Sequence, residues 1–501
     1  MMKLGNTLIF LLALPLLCLA LLSAIPRRYG GALLRGTTGE VAVLDPIYAA
    51  MPEEREIARQ LYCGLLRLQP DGIVAPDLAS SWESLEQGRL FRFVLRDDIT
   101  FSSAGEIAPE DVKFSIERLL RSTPPSPYRA LAAGIQGAGA FAAGRESTLR
   151  GVRCPGKGIV EIELEVPDPR FPESLTLLPF SVVARAEKPV PEAAGPAGAG
   201  PFLLERWGRD GMIVLKPNLR FHRGRPYVDR VEYRASADQQ NLLLSFQYRG
   251  LHVIDSPTEE PLPQGGIESP ERSLVYLRIN RSKPPLDKPE NRRVLDSFID
   301  RDSIVNVILK GEARTVDGFV DPGLFAPALA WKQPAPAPPA LQQPIPETSP
   351  LRKMGRPLSL IYLAGDSRRK LVAERIQVNL LSAGIQVEPR GLSRNDLLRR
   401  LYEKKYDLAL LSTFERRRFL LPDMLAFFQA EAEPEQPVSS YGGTQGDEGR
   451  LRELENAIAG RGDCLFLYSQ NRFYLAKNTV RDLRVSEEGL LVLEDCWLRS
   501  P

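Results

Sequence analysis

The stretch from Ile73 to Leu120 constrains the chain more than any other, because three local signals follow one another in it. Leu90, Phe91, Phe93 and Leu95 surround Arg92 in the alternation of a half-buried strand. Arg96, Asp97 and Asp98 break that pattern. From Pro109 onward, Val112, Ile116, Leu119 and Leu120 recur at helical spacing. Pro109 suits the first turn, where a missing N–H costs nothing, and Glu110 and Asp111 sit beside the positive end of the dipole. A strand, a loop and a capped helix are expected in that order.

At 501 residues the chain exceeds what one hydrophobic core usually supports, so two or more lobes are expected. A hydrophobic share of 43% and a charged share of 26% are those of a globular protein. Lys and Arg number 65 against 63 Asp and Glu, and a net charge of +2 gives no electrostatic footprint for nucleic acid.

The N-terminus has its own logic. Lys3 is followed by an uncharged run from Leu8 to Leu22 and then by Ser23, Ala24, Ile25, Pro26, Arg27 and Arg28. Residues 1–28 are expected to be a signal peptide, cut near Ala24, or an uncleaved membrane anchor, since the apolar run nearly reaches a span. Cys18 invites a lipoprotein reading, but Leu17 before it is bulky where a small residue is wanted.

The stretch from Ile73 to Leu120 reads Pro76, Asp77, Leu78, Ala79, Ser81 and Trp82, then Phe91, Phe93, Leu95 and Arg96, then Asp111, Val112, Phe114 and Ser115. In that order these residues bear a resemblance to the family 5 extracellular solute-binding proteins, the dipeptide and oligopeptide receptors of ABC importers. It continues in Gly30-Gly31, in the turn Leu44-Asp45-Pro46, in Leu61-Tyr62-Cys63-Gly64-Leu65, in Gly198 to Phe202, in the strand Ser273 to Asn280 and in the helix ending near Ile299-Asp300-Arg301. It implies an α/β, two-lobed periplasmic binding protein fold of type II, similar to cluster C, with mixed sheets and a hinge. The implied lobes are 29–268 with 464–501, carrying a subdomain at about 49–197, and 269–463. Ala326 to Pro350, rich in proline and alanine, reads as a loop where relatives usually carry a helix.

In the second lobe, Leu358 to Tyr362, Leu371 to Leu381, Gly384 to Glu388, Leu397 to Tyr402 and Asp407 to Leu411 alternate strand and helix, which argues for a parallel sheet. Leu465 to Tyr468 and Leu490 to Leu493 read as a final pair of strands.

Signals for catalysis are weak. The cluster from Gly195 to Pro201 lacks the Lys-Ser or Lys-Thr of a phosphate loop. Ser367-Arg368-Arg369-Lys370 fits Ser-x-x-Lys without the companion motifs, and Ser367 reads as a helix N-cap. The pairs Glu53-Glu54 and Glu259-Glu260 fall in polar surface text. His222 and His252 read as surface or packed rings. Cys63, Cys154, Cys464 and Cys496 form either one or two disulfides or four unrelated thiols. No enzyme, cofactor or metal is expected.

The expected working partners are a small solute, peptide-like or other, and the permease subunits of an ABC transporter, with the protein itself a monomer. The rival is a membrane-tethered sensor or scaffold without transport. By the resemblance, ligand contacts fall at Tyr48, Phe414, Glu415, Arg416, Arg417 and Tyr441. Peptide-binding relatives carry a Gly-Trp pair where Ser412 and Thr413 stand, and an ammonium-binding aspartate where Arg416 stands. A second acidic position of some relatives lands on Ala50. Three readings compete for Arg416, Arg417 and Arg418: a clamp for a carboxylate or phosphate, a solvated basic loop with Glu415 supplying the acid, or a decayed site.

Overall fold

The computed structural model describes residues 27–39, 41–69, 72–103, 105–185, 195–236, 239–256, 266–318, 345–415 and 460–499, with Glu271, Arg394, Asn395 and Thr413 to Glu415 as backbone alone. The leader up to residue 26, residues 326–344 of the proline-rich stretch, Glu259, Glu260, Arg416, Arg417, Arg418 and Tyr441 lie outside the described residues.

The chain enters as β1 (Ala32–Thr37) and, after the helix Pro52–Leu61, makes a short hairpin of β2 (Leu66–Leu68) and β3 (Val74–Pro76). The organising stretch then supplies β4 (Ala79–Leu85), β5 (Leu90–Leu95) and the helix Pro109–Arg121. β5 buries Phe91, Phe93 and Leu95 on one face and turns Arg92 and Val94 outward. The helix buries Val112, Ile116, Leu119 and Leu120, and the Asp111 carboxylate reaches back to accept from the Ala108 amide at 2.8 Å. That bond satisfies one of the amides left open at a helix start. β6 (Val152–Gly156) and β7 (Ile159–Glu163) complete a four-stranded sheet in the order β4-β5-β7-β6. Its outer face carries a ladder of ion pairs, Glu83 to Arg92 to Glu161 to Arg153 to Glu163. Exposed pairs contribute about 0.2–1 kcal/mol each, so the apolar inner face does most of the holding.

The main sheet takes β1 together with β8 (Phe202–Trp207), β9 (Ile213–Pro217), β10 (Arg230–Ala235), β11 (Val253–Ser256), β12 (Gly266–Ile279), β13 (Arg314–Thr315), β14 (Leu358–Leu363), β15 (Val387–Leu392), β16 (Leu408–Glu415) and β17 (Cys464–Ala476). Its order is β15-β14-β16-β12-β17-β11-β1-β10-β9-β8, with β13 on β17. Pairing is parallel in β15-β14-β16 and in β11-β1-β10 and antiparallel elsewhere, a mixed sheet.

The three largest cores among the described residues pack on these sheets. The first lies under the four-stranded sheet, around Phe91, Phe93, Ile116, Leu119, Val160 and Ile162. The second joins Leu33, Ile57, Val231 and Val253 to Tyr474, Leu491 and Leu493, so early and late parts of the chain share one core. The third is drawn from residues between Val275 and Tyr468, among them Leu277, Leu295, Leu360, Ile376 and Leu410.

β12 and β17, at 14 and 13 residues, run antiparallel from the second core into the third. Each belongs to both: Val275, Leu277, Leu465 and Leu467 pack in the third core, Tyr474 in the second with Ile267 and Ala476 against it. Their register slips twice, between Glu268 and Arg272 and again between Val275 and Tyr276. Pro270 lies in the first interval and has no N–H for a ladder, so that slip falls between the two cores.

The expected strands Ser273 to Asn280 and Leu465 to Tyr468 are thus only the third-core halves of much longer ones. Leu490 to Leu493 forms a two-residue pairing, Leu491–Val492 with Arg484–Val485. The helix start near residue 367 also differs from expectation. Asp366 is the N-cap, its Oδ1 accepting from the Arg368 and Arg369 amides at 3.0 and 3.1 Å, and Ser367 is the first helical residue of Ser367–Ser382. Asp and Ser both serve as caps, and the carboxylate adds charge attraction to the dipole. Asp366→Ala is expected to cost about 1 kcal/mol and Ser367→Ala under about 0.5 kcal/mol in thermal melts, and the reverse order would show the cap misassigned.

No disulfide joins Cys63, Cys154, Cys464 and Cys496 to one another; Cys154 is half-exposed and the others are buried. Both histidines are packed: His222 Nε2 lies 2.8 Å from Asp77 Oδ1, and His252 Nδ1 accepts from the Leu34 amide at 3.0 Å.

Candidate functional site

The turn Leu44-Asp45-Pro46 begins a loop whose every anchor is identifiable. Glu54, third in the helix Pro52–Leu61, is fully buried, and its carboxylate accepts from four backbone amides, Ala42 and Val43 at Oε1 and Ala50 and Met51 at Oε2, at 3.0–3.2 Å. Expectation placed Glu53-Glu54 on the polar surface, and burial corrects this for Glu54. A carboxylate can leave water when both oxygens keep their donors. The Asp45 carboxylate pairs with both terminal nitrogens of Arg118, and its Oδ1 also accepts from the Ile47 amide at 3.2 Å.

Three hydroxyl bonds join the loop and the segment that follows the helix Pro109–Arg121. Ser126 Oγ donates to the Ile47 carbonyl at 2.6 Å, Tyr128 Oη to Ala49 at 3.1 Å and Tyr48 Oη to Pro124 at 2.7 Å. Tyr48, singled out from sequence, therefore stands on a loop fixed from three sides, with its own hydroxyl engaged. Ala50 is exposed and its amide belongs to Glu54.

β16 carries two more of the candidate residues, Phe414 and Glu415. Its start is fixed by Asp407, which is buried and takes two bonds from Arg356 at 2.6 and 2.9 Å and one from the Ser359 amide. Burial alone would raise this carboxyl, but Arg356 and the amide hold it below the usual range. Asn280 bonds the Lys404 and Tyr406 carbonyls, so this landmark of the Ser273 to Asn280 strand holds the turn before β16. At the far end Ser412 Oγ accepts from Arg369 Nη2 at 2.5 Å. Phe414 and Glu415 are the last strand residues, opposite Ser273 and Arg272 of β12. Phe414 and Glu415 thus stand at one strand end, and Tyr48 on a separate loop packed against the first core; Arg416, Arg417 and Tyr441 lie outside the described residues.

Sequence reasoning missed Glu54, Arg118 and the charge cluster of Arg35, Glu56, Asp255 and Arg472. The signal for Arg118 existed, a basic residue in the last turn of a helix facing an Asp-Pro turn, but the partners lie 73 positions apart.

Residues 74–423 match the bacterial extracellular solute-binding proteins, family 5. Among curated relatives, a probable D,D-dipeptide-binding periplasmic protein of Escherichia coli is 25% identical over 411 residues, covering 77% of this chain and 75% of that protein. The periplasmic oligopeptide-binding protein of Escherichia coli is 26% identical over 314 residues, 58% of this chain and 56% of that one. Among solved structures, the oligopeptide-binding protein AppA of Bacillus subtilis, in complex with a nonapeptide, superposes with a TM-score of 0.77 at 18% identity over 95% of this chain and all of that one. The murein tripeptide-binding protein MppA of Escherichia coli gives 0.79 at 18% identity over 96% of this chain. These likenesses show the two-lobed α/β binding-protein fold with mixed sheets. The chain belongs to the bacterial extracellular solute-binding proteins, family 5.

Proposed function

We propose that this chain is the extracytoplasmic receptor of an ABC importer, which closes two lobes on a peptide-like or other small solute and presents it to the permease. The observation that carries the reading is the pair of crossing strands, β12 and β17, which join two separately cored bodies through a register slip, with the loop of Tyr48 on one side and the end of β16 on the other. Two bodies on such a joint can close around a ligand without repacking either core. Relatives bearing dipeptide and oligopeptide names support a peptide-like ligand.

We place the lobes at 29–268 with 464–501, including the subdomain at about 49–197, and at 269–463. The ligand contacts we propose are Tyr48, Phe414, Glu415, Arg416, Arg417 and Tyr441. The protein is read as a monomeric receptor and no enzyme, held outside the cytoplasm by a leader that is cut or kept as an anchor. No helix among the described residues is long and apolar enough to cross a membrane.

Arg416 standing for an ammonium-binding aspartate makes a definite expectation. A free peptide N-terminus would meet a cation inside a closing cleft, where charges are poorly screened. Calorimetry with a mixed pool of dipeptides and tripeptides is expected to show weak binding by the natural chain and at least about tenfold tighter binding by Arg416→Asp, a difference of about 1.4 kcal/mol. Tight binding that ignores the substitution would remove Arg416 from the site. Binding of neither peptides nor their N-acetylated forms by either protein would overturn the peptide reading.

A further inference from the structure

The chain is pinned to the folded body from Arg27 onward. Arg27 Nε lies 3.0 Å from Asp482 Oδ2 and Nη1 lies 3.7 Å from Asp495 Oδ1, with the guanidinium over the Tyr227 ring at 5.4 Å. Tyr29 stacks on the same Tyr227 ring with centroids 4.8 Å apart, and Arg225 stands over Tyr29 at 4.9 Å. The Gly30 amide donates to the Tyr227 carbonyl at 2.8 Å and the Asp229 amide to the Gly31 carbonyl at 2.9 Å. A Cβ on Gly31 would come within 3.1 Å of Leu498. Leu498 pairs with Val480, and Trp497 beside it donates from Nε1 to Asp482 at 3.1 Å. Residues 27–31 thus form one patch with the turn 225–229 and the pairing of Val480–Arg481 with Trp497–Leu498.

What precedes this patch in the sequence limits what can face it. Leu4 to Ile25 carries no charge and is about as long as a membrane span. Only Pro26 stands between that run and Arg27, so a chain anchored by it has at most about 7 Å of tether. A tether that short holds the patch within reach of the headgroups. Its composition suits them: Arg27, Arg28, Arg225, Arg481, Arg484 and Arg499 outnumber Asp229, Asp482 and Asp495, and Tyr29 is 60% exposed. Guanidiniums are drawn to an anionic leaflet, and tyrosine favours the boundary between hydrocarbon and water.

We propose that this patch is a membrane-docking surface whose partner is the anionic phospholipid headgroup layer, with residues 27–31 as a stiff joint that fixes the orientation of the first lobe over the bilayer. This rests on the reading of the leader as a retained anchor. A receptor tethered through a flexible linker would tumble above the membrane, whereas the stacking of Arg27 and Tyr29 on Tyr227 leaves the joint little freedom. A receptor so held stays beside a permease in the same membrane and offers it one side.

Hydrogen–deuterium exchange of the full chain, leader included, reconstituted in vesicles tests the docking. Peptides covering 27–31, 225–229 and 480–499 are expected to exchange at least about threefold more slowly in phosphatidylglycerol-rich vesicles than in pure phosphatidylcholine, and about 0.5 M salt is expected to erase most of the difference. Arg28→Glu combined with Arg499→Glu, both at exposed positions, is expected to abolish the protection while exchanging like the natural chain in phosphatidylcholine, which shows the fold intact. A linker of about ten Gly and Ser residues inserted after Pro26 keeps the anchor and lowers the effective concentration of the patch at the surface, so the protection should at least halve. Equal exchange of the natural chain in both kinds of vesicle, or protection that ignores both the charge reversal and the linker, overturns the proposal. The anchor itself is tested apart from this by mass spectrometry of a native membrane fraction. Chains that begin after Ala24 there would overturn the anchor and the docking together, whereas the vesicle result can sink the docking while the anchor stands.

Discussion

Glu54→Ala is expected to destabilise the protein by roughly 3–5 kcal/mol and to weaken ligand binding in whatever fraction still folds. The carboxylate is fully buried and each of its oxygens serves two amides, so truncation leaves the amides of Ala42, Val43, Ala50 and Met51 without their acceptor. Glutamine would not be mild here. Its NH2 would have to face one of the two amide pairs donor to donor, so Glu54→Gln is expected to lose well over half of the same free energy, whereas a surface glutamate tolerates that change within about 0.5 kcal/mol. The amides also belong to the loop that presents Tyr48, so proteolysis near residues 42–51 should quicken in both variants. Thermal melts and limited proteolysis measure these effects, and a near-neutral Glu54→Gln would show that the loop is held by something else.

What could be read from sequence follows from how far apart the interacting residues lie. β5 and the helix Pro109–Arg121 were legible because Phe91, Phe93, Ile116 and Leu119 state their periodicity within a few residues. The crossing strands were legible only by half, since the third-core halves read as apolar text while Gly266 to Arg272 carries Pro270, Glu268 and Glu271 and resembles a loop. No local pattern tells a buried glutamate from a solvated one. Glu54 and Glu53 are adjacent acids at a helix start, and only the folded loop supplies Glu54 with its amides. The family resemblance found the fold, which depends on many such short patterns. It said less about the site, because one fold can carry many different sites.

Arg35 makes the same point at longer range, and its replacement is the second large effect. In Ala32–Thr37 an arginine between Leu34 and Gly36 suggests an exposed edge, yet β1 lies inside the sheet between β10 and β11. Its partners Glu56 and Asp255 are 21 and 220 positions away. Burial opposes the charge, but Asp255 and Glu56 outweigh it and keep the guanidinium protonated. Arg35→Met is expected to cost roughly 3–5 kcal/mol near neutral pH, because it strands Glu56, at 2% exposure, without its counter-ion and leaves Asp255 with Arg472 at 3.9 Å in place of the close pair. The cost should shrink in acid. Burial already raises the Glu56 carboxyl against the pull of Arg35, and loss of Arg35 raises it further, so the variant can protonate Glu56. A folded-state value above the unfolded one means stability present at low pH and lost as pH rises through the folded value, so the melting temperature of the variant should fall with pH more steeply than that of the natural chain. The control is Arg35→Met combined with Glu56→Met, which removes the stranded charge with its partner and should recover a large part of the loss. If the single and double variants melt alike at every pH, the loss reflects packing of the arginine stem over Tyr474, and the ionic account of this cluster is wrong.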